Sequence, residues 1–139
     1  MNESFPRQVA GHVPVLRLGD VLLVTLQGDL YDSAAQQLQQ DLSETIARSR
    51  VTGVVIDISG VEVVDSFLGR VLAEIAAQAE LLAARTVVAG MRPAVAITLV
   101  ELGLTLPGLR TALTTEDALE LLDRPIVTPR SGGRRQESP

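Results

Sequence analysis

A serine follows an aspartate at the predicted start of a helix, in the order Asp65-Ser66-Phe67. A hydroxyl at this position is exposed and lies beside backbone N–H groups that have no partner within the helix. A phosphate on Ser66 would meet those N–H groups and the positive end of the helix dipole. It would add about 1.5 to 2 negative charges, which would change binding rather than unfold the helix. The same dipeptide also fits a simpler interpretation, in which Asp65 and Ser66 only cap the helix.

Carboxylates lie near or after the ends of the predicted strands, at the edge of the sheet where α/β proteins usually place their sites. They are Asp29, Asp32, Asp57, Glu62 and Asp65. Because Mg²⁺ prefers such oxygen ligands, a magnesium-dependent phosphatase is one hypothesis. Helix caps and solvated loops explain the same residues. A phosphoryl-transfer site also needs a cation beside the metal, and only Arg92 lies nearby. We therefore expect no metal and no cofactor.

Two aromatic residues flank the helix starts at this edge, Tyr31 before the first helix and Phe67 directly after Ser66. Exposed aromatic side chains often anchor a protein partner. The alternative is that Phe67 packs under its own helix and that Tyr31 covers a loop. The predicted partner-binding residues are Asp29, Tyr31, Asp32, Asp65, Phe67 and Arg92.

The composition excludes several classes of function. The chain has no Cys and no Lys, all twelve basic residues are Arg, and the single His is His12. Disulfides, a P-loop, covalent Lys catalysis and the common zinc sites are thereby excluded, and we expect no enzyme. The net charge of −5 argues against nucleic-acid binding. Without a signal peptide or a membrane-length apolar run, the expected location is the cytoplasm.

The hydrophobic periodicity predicts an α/β domain with the order β-β-α-β-α-β-α-β-α. The first two strands form a hairpin through Gly19-Asp20, and the later alternation implies parallel pairing. Asp32 or Ser33 is expected to cap the first helix, Thr114 or Thr115 the last, and Gly53 to break the chain before a strand. With aromatics at only 2 %, the core must consist of aliphatic residues. The predicted strands cover residues 13–18, 21–27, 54–58, 85–89 and 109–113.

Three parts of the chain are distinguished by composition. Residues 1–12 are expected to form a flexible N-terminus, and residues 13–123 the folded domain. Residues 124–139 are rich in Arg, Gly and Pro and are expected to be a disordered tail.

The segment from Val54 to Leu72, VVIDISGVEVVDSFLGRVL, resembles the signature of STAS domains, the anti-sigma-factor-antagonist family. Two further segments are similar to the RsbS-type stressosome subunit: VPVLRLG from Val13 and PAVAITLVELG from Pro93. So is Asp65-Ser66-Phe67, which stands in place of the commoner Asp-Ser-Ser. The resemblance covers about residues 13–123, whereas the Arg-rich tail and the absence of Lys depart from the family pattern.

The resemblance implies a mixed, mostly parallel sheet of about five strands covered by about four helices. It also implies that Ser66 is the phosphoacceptor of an RsbT-type serine kinase. The protein would co-assemble with RsbR-type paralogues into a large stressosome, release the kinase on phosphorylation to act on a sigma-factor pathway, and be reset by a phosphatase. Two alternatives remain open: an anti-anti-sigma factor that binds an anti-sigma kinase, and a STAS module that senses a ligand or nucleotide at this edge.

Overall fold

The computed structural model describes residues 13–28, 30–104 and 109–123. The predicted order of strands and helices is confirmed. In chain order the elements are β1 (Val15–Leu18), β2 (Val21–Gln27), α1 (Asp32–Arg48), β3 (Gly53–Gly60), α2 (Ser66–Leu81), β4 (Arg85–Ala89), α3 (Pro93–Glu101), β5 (Arg110–Ala112) and α4 (Thr115–Asp123). Both expected termini, residues 1–12 and 124–139, lie outside the described residues.

The five strands form one mixed sheet in the order β1-β2-β3-β4-β5. β1 and β2 are antiparallel and join through a tight turn, where Gly19 has a φ of +65°. Every other neighbouring pair is parallel, so the carboxyl ends of β2, β3 and β4 lie at one edge of the sheet. This edge carries the loops that lead into α1, α2 and α3.

Aliphatic side chains fill the core on both faces of the sheet. Val54, Ile56 and Ile58 of β3 pack with residues of α1, α2 and α3 on one face. Val55 packs with Ala118 and Leu122 of α4 on the other face. Because β3 is buried on both faces, its sequence is a continuous apolar run rather than an alternating one.

The first helix differs from the sequence prediction at its cap. Tyr31 is the N-cap residue and makes no side-chain hydrogen bond there, whereas Asp32 is already the first helical residue. The prediction that Asp32 or Ser33 caps α1 is therefore wrong. The Asp32 carboxylate instead lies in the first turn, where the positive end of the helix dipole stabilises its negative charge. At α4 the predicted cap is confirmed, because Thr114 Oγ1 accepts the Asp117 N–H at 3.0 Å.

Gly53 also differs from the prediction, because it is the first residue of β3 and not a break before it. A side chain at this position would bring its Cβ to 2.8 Å from Leu122 Cδ1. The glycine therefore allows α4 to approach the sheet closely. In the described ranges, no helix combines the length and hydropathy needed to cross a membrane.

Candidate phosphorylation site and docking surface

Ser66 is the first residue of α2, and its side chain is exposed. The preceding Asp65 is the N-cap residue in extended conformation, and its Oδ1 accepts the Leu68 N–H at 2.9 Å. The Ser66 hydroxyl makes no hydrogen bond within the part of the chain that the structure describes. Asp65 thus caps the helix, and the neighbouring hydroxyl is available to solvent.

The loop between β3 and α2 is held by two buried valines. Val61 and Val64 are 1 % and 6 % exposed, and the Val61 N–H donates to the Ile58 carbonyl at 2.9 Å. With these two side chains inside, Val63 is turned outward and is 84 % exposed. The two buried valines therefore anchor the loop that leads to Ser66, and the loop also carries the exposed apolar side chain of Val63.

A depression of about 280 Å³ lies beside the start of α2. Tyr31, at its margin, is 62 % exposed, while Phe67 is half-buried and packs against the main core. For Phe67 the alternative interpretation therefore holds in part, because one side of the ring supports the helix. The residues that line the depression are Gly28, Leu30, Tyr31, Val63, Asp65, Phe67 and Leu68.

A second groove, of about 380 Å³, runs between α1 and α2 and is also bordered by Phe67. Asp32 and Arg70 line it with exposed charged side chains. Further along, Gln39 Nε2 donates to Glu74 Oε1 at 3.0 Å, which joins the two helices. Phe67 thus borders both the depression and the groove, and this arrangement brings Tyr31, Asp32, Asp65 and Phe67 into one continuous region.

Arg92 lies at the end of β3 rather than in the lining of the depression. Its side chain is exposed, and its Nε donates to the Ser59 carbonyl at 3.0 Å. The Ser59 N–H in turn donates to Asp57 Oδ1 at 2.9 Å. Arg92 and Asp57 therefore fix the strand end that leads to the Ser66 loop. Asp29, the remaining predicted residue, lies outside the described residues.

Within residues 13–28, 30–104 and 109–123, no group of three or more His, Asp or Glu side chains is arranged to hold a metal ion.

Two residues of this surface were not singled out from the sequence, Val63 and Arg70. The run Val61-Glu62-Val63-Val64 offers three valines and no periodicity that identifies the exposed one. Arg70 follows Phe67 by three positions, so it lies on the same side of α2. That spacing could have identified Arg70, whereas the exposure of Val63 depends on the tertiary fold.

Comparison with known proteins assigns the family. The model of the STAS domain matches residues 12–118. The RsbT co-antagonist protein RsbRA of Bacillus subtilis is 31 % identical over 120 residues, which is 84 % of this chain and 43 % of RsbRA. The chain thus spans less than half the length of this relative.

Two solved structures are more similar in sequence. A serine-to-glutamate variant of RsbS from Moorella thermoacetica has a TM-score of 0.70 and 44 % identity, covering 79 % of this chain and 93 % of that one. A chain in the architecture of the stressosome, a signal integration and transduction hub, has a TM-score of 0.70 and 45 % identity, covering 78 % and 95 %. The predicted fold and the resemblance to the RsbS-type subunit are confirmed. The chain belongs to the STAS domain family.

Proposed function

We propose that this protein is a non-catalytic, phosphorylatable switch and scaffold subunit of a stressosome-type complex. In this proposal an RsbT-type serine kinase docks beside Ser66, phosphorylates it and is then released to act on a stress-response pathway that controls a sigma factor. The observation that carries the proposal is the exposed Ser66 hydroxyl at the first position of α2, directly after a cap that does not use it.

The start of α2 can accept a phosphate without loss of the fold. The first helical N–H groups have no intrahelical acceptor, and Asp65 takes only the one from Leu68. The remaining N–H groups and the helix dipole favour an added negative charge. Phosphorylation is therefore expected to change the surface of the domain and to leave its core intact.

The docking surface, which we define as Tyr31, Val63, Phe67 and Arg70 around Ser66, combines apolar and charged contacts. Tyr31 and Val63 offer exposed apolar area, and Arg70 adds a cation. A phosphoserine brings about 1.5 to 2 negative charges into this area. Apolar contacts at the centre of an interface bind best when water is excluded. A hydrated phosphate between them opposes that exclusion, which gives a physical reason for kinase release.

The remaining partners follow from the relatives. RsbRA is an RsbT co-antagonist, and a chain 45 % identical to this one occurs in the stressosome. We infer that this protein assembles with RsbR-type paralogues into a large cytoplasmic complex and that a phosphatase removes the phosphate from Ser66.

The proposal is tested with the RsbT-type kinase of the same organism and ATP, mapping phosphate by mass spectrometry. We expect phosphate on Ser66 in the wild type and none there in Ser66→Ala. Ser33→Ala is the matched control, because Ser33 is also exposed in the first turn of a helix. It should leave the phosphorylation of Ser66 unchanged.

Binding of the kinase is measured by calorimetry with the same variants and with Ser66→Asp. We expect Ser66→Asp to weaken binding about tenfold or more, equivalent to about 1.4 kcal/mol. The switch would be refuted by wild-type affinity in Ser66→Asp together with no phosphate on Ser66. Phosphate on Ser33 and none on Ser66 would mean that the phosphorylated residue lies on α1 and not on α2.

A further inference from the structure

A groove of about 510 Å³ lies between the β1–β2 turn and the end of α4. Leu18 and Val21 line it from the sheet, and Leu119 and Leu122 line it from α4. Val21 is the first residue of β2, so the groove lies at the amino ends of the parallel strands. Ser66 follows the carboxyl end of β3, and the groove is therefore separate from the surface proposed to bind the kinase.

Two leucines of β1 remain exposed beside this groove. Leu16 and Leu18 are 58 % and 44 % exposed, and they lie directly opposite Leu23 and Val21 in the antiparallel ladder. Residues directly opposite each other share a face of the sheet. Because Val21 and Leu23 pack in the cluster that contains α4, the two leucines lie on the α4 face. Of the described helices, only the nine-residue α4 contributes to that cluster, and it leaves these leucines exposed.

The chain leaves α4 at the groove. Leu122 and Asp123, the last two residues of α4, both line it, and Leu122 packs against Gly53 of β3. From β3 across β2 to β1 the distance is about 10 Å, since neighbouring strands lie about 4.8 Å apart. An extended chain covers this distance in about three residues. Residues three and four positions after Asp123 can therefore reach Leu16 and Leu18.

The residues at those two positions are apolar. Residues 124–130 read RPIVTPR, in which Ile126 and Val127 follow Asp123 by three and four positions. The sequence after Asp123 has no other aliphatic or aromatic residue apart from proline. Pro125 disfavours a helical conformation at the residue before it and favours an extended one. The apolar pair thus occurs where an extended chain reaches the exposed leucines of β1.

Charge favours the same segment. Asp20, Glu120 and Asp123 line the groove, and no basic residue is among the described residues that do so. Arg124 and Arg130 flank the apolar pair. Opposite charges on two contacting surfaces fix their register and disfavour other partners. The segment therefore matches the groove in charge as well as in hydropathy.

We propose that residues 124–130 of this chain dock across the α4 face of β1. Ile126 and Val127 contact Leu16 and Leu18, and the flanking arginines lie beside the acidic groove. The occupant is the chain's own segment and not a second copy, because a short tether gives an effective concentration in about the millimolar range. This proposal revises the expectation from composition, which treated residues 124–139 as one disordered tail.

The docked segment has a protective effect on the sheet. Exposed apolar side chains on an edge strand invite pairing with another chain. β1 is such an edge strand, and it carries Leu16 and Leu18. Covering these leucines from within the same chain keeps this edge from associating with other molecules.

The proposal is tested on the full chain with a single nitroxide spin label, which is simple to place because the chain has no Cys. The label is attached to Thr128→Cys in the ¹⁵N-labelled protein, and the reduced label is the reference. We expect loss of the amide peaks of Leu16 and Leu18, because the label lies beside them. Ser138→Cys with the same label is the control and should leave most of both peaks.

The apolar contact is tested by combining Ile126→Ser and Val127→Ser with the labelled Thr128→Cys. These changes touch no described residue of the fold, and they should restore the peaks of Leu16 and Leu18. On the sheet side, Leu18→Thr should restore the peak of Leu16. Leu113→Thr is the matched control, because Leu113 is 84 % exposed and follows β5 at the other edge of the sheet. It should leave the loss of the peak unchanged.

A second copy is the other occupant that the experiment must distinguish. For this purpose, ¹⁵N-labelled chain without a spin label is mixed with spin-labelled Thr128→Cys chain that carries no ¹⁵N. Loss of the Leu16 and Leu18 peaks in this mixture, as strong as within one chain, would overturn the proposal in favour of a neighbouring molecule. Intact peaks in labelled Thr128→Cys, or peak loss that persists when Ile126 and Val127 are replaced by serine, would overturn it as well.

Discussion

The Asp65 carboxylate accepts the Leu68 N–H at 2.9 Å, and this one hydrogen bond leaves the hydroxyl of the intervening Ser66 outside the helix cap. Asp65→Ala should lower the free energy of unfolding by about 1 kcal/mol, the usual effect of losing an N-cap. Asp65→Asn keeps an acceptor oxygen and should retain most of the stability. Urea denaturation followed by circular dichroism measures both, because the chain has no Trp. Equal losses in the two variants would show that the charge, and not the cap, stabilises α2.

Ser66→Asp should change the free energy of unfolding by less than about 0.5 kcal/mol, as expected for an exposed position. The added charge is favoured by the dipole of α2 and opposed by the carboxylate of Asp65. The same urea experiment measures the difference. A loss of about 2 kcal/mol or more would mean that the charge meets a buried environment, which would contradict the exposed site.

Arg92 is expected to stabilise the loop that carries Ser66, through the bond from its Nε to the Ser59 carbonyl at 3.0 Å. Arg92→Met keeps most of the side-chain stem and removes the donor. Hydrogen exchange at the Val61 amide should then be about two- to fivefold faster, as for the loss of one exposed hydrogen bond.

The control is Arg17→Met, because Arg17 Nε makes a comparable bond to the Gly19 carbonyl at 2.7 Å in the β1–β2 turn. That turn lies at the opposite edge of the sheet, so exchange at Val61 should not change. Equal acceleration in both variants would indicate a general loss of stability and not a local effect of Arg92.

Much of the fold could be predicted because local patterns and tertiary packing agree. The continuous apolar run of β3 indicates a strand buried on both faces, and it packs with α2 on one side and α4 on the other. The prediction for Gly53 was wrong because a tertiary contact explains the need for glycine there. Gly53 makes room for Leu122, which is distant in sequence. The prediction of the α1 cap was wrong because several neighbouring residues could occupy that position and the sequence does not rank them.

The sequence predicted only those parts of the candidate site that depend on neighbouring residues in the chain. Ser66 follows an Asp that can cap a helix, and that pattern is complete within a few residues. The exposure of Val63 and the bond of Arg92 to Ser59 depend on how the loop and α3 meet the end of β3.

Gly90 is expected to be required where β4 ends, because its φ is +75° and a Cβ there would lie 2.9 Å from Ser59 Cβ. Gly90→Ala should lower the free energy of unfolding by about 2 kcal/mol or more, from the left-handed backbone and the contact together. Gly103→Ala is the matched control, because its φ is +76° and its Cβ would meet no described residue within 4 Å. It should cost only about 1 kcal/mol. Equal effects, measured by urea denaturation, would show that the contact with Ser59 is unimportant.

Thr86→Val should raise the free energy of unfolding by about 1 kcal/mol, because it replaces a buried hydroxyl, which has no hydrogen-bond partner among the described residues, with a methyl group of similar size. Thr111→Val, at an exposed position of β5, is the control and should change stability by less than about 0.5 kcal/mol. A loss of stability in Thr86→Val would show that the hydroxyl already has a partner, such as a bound water.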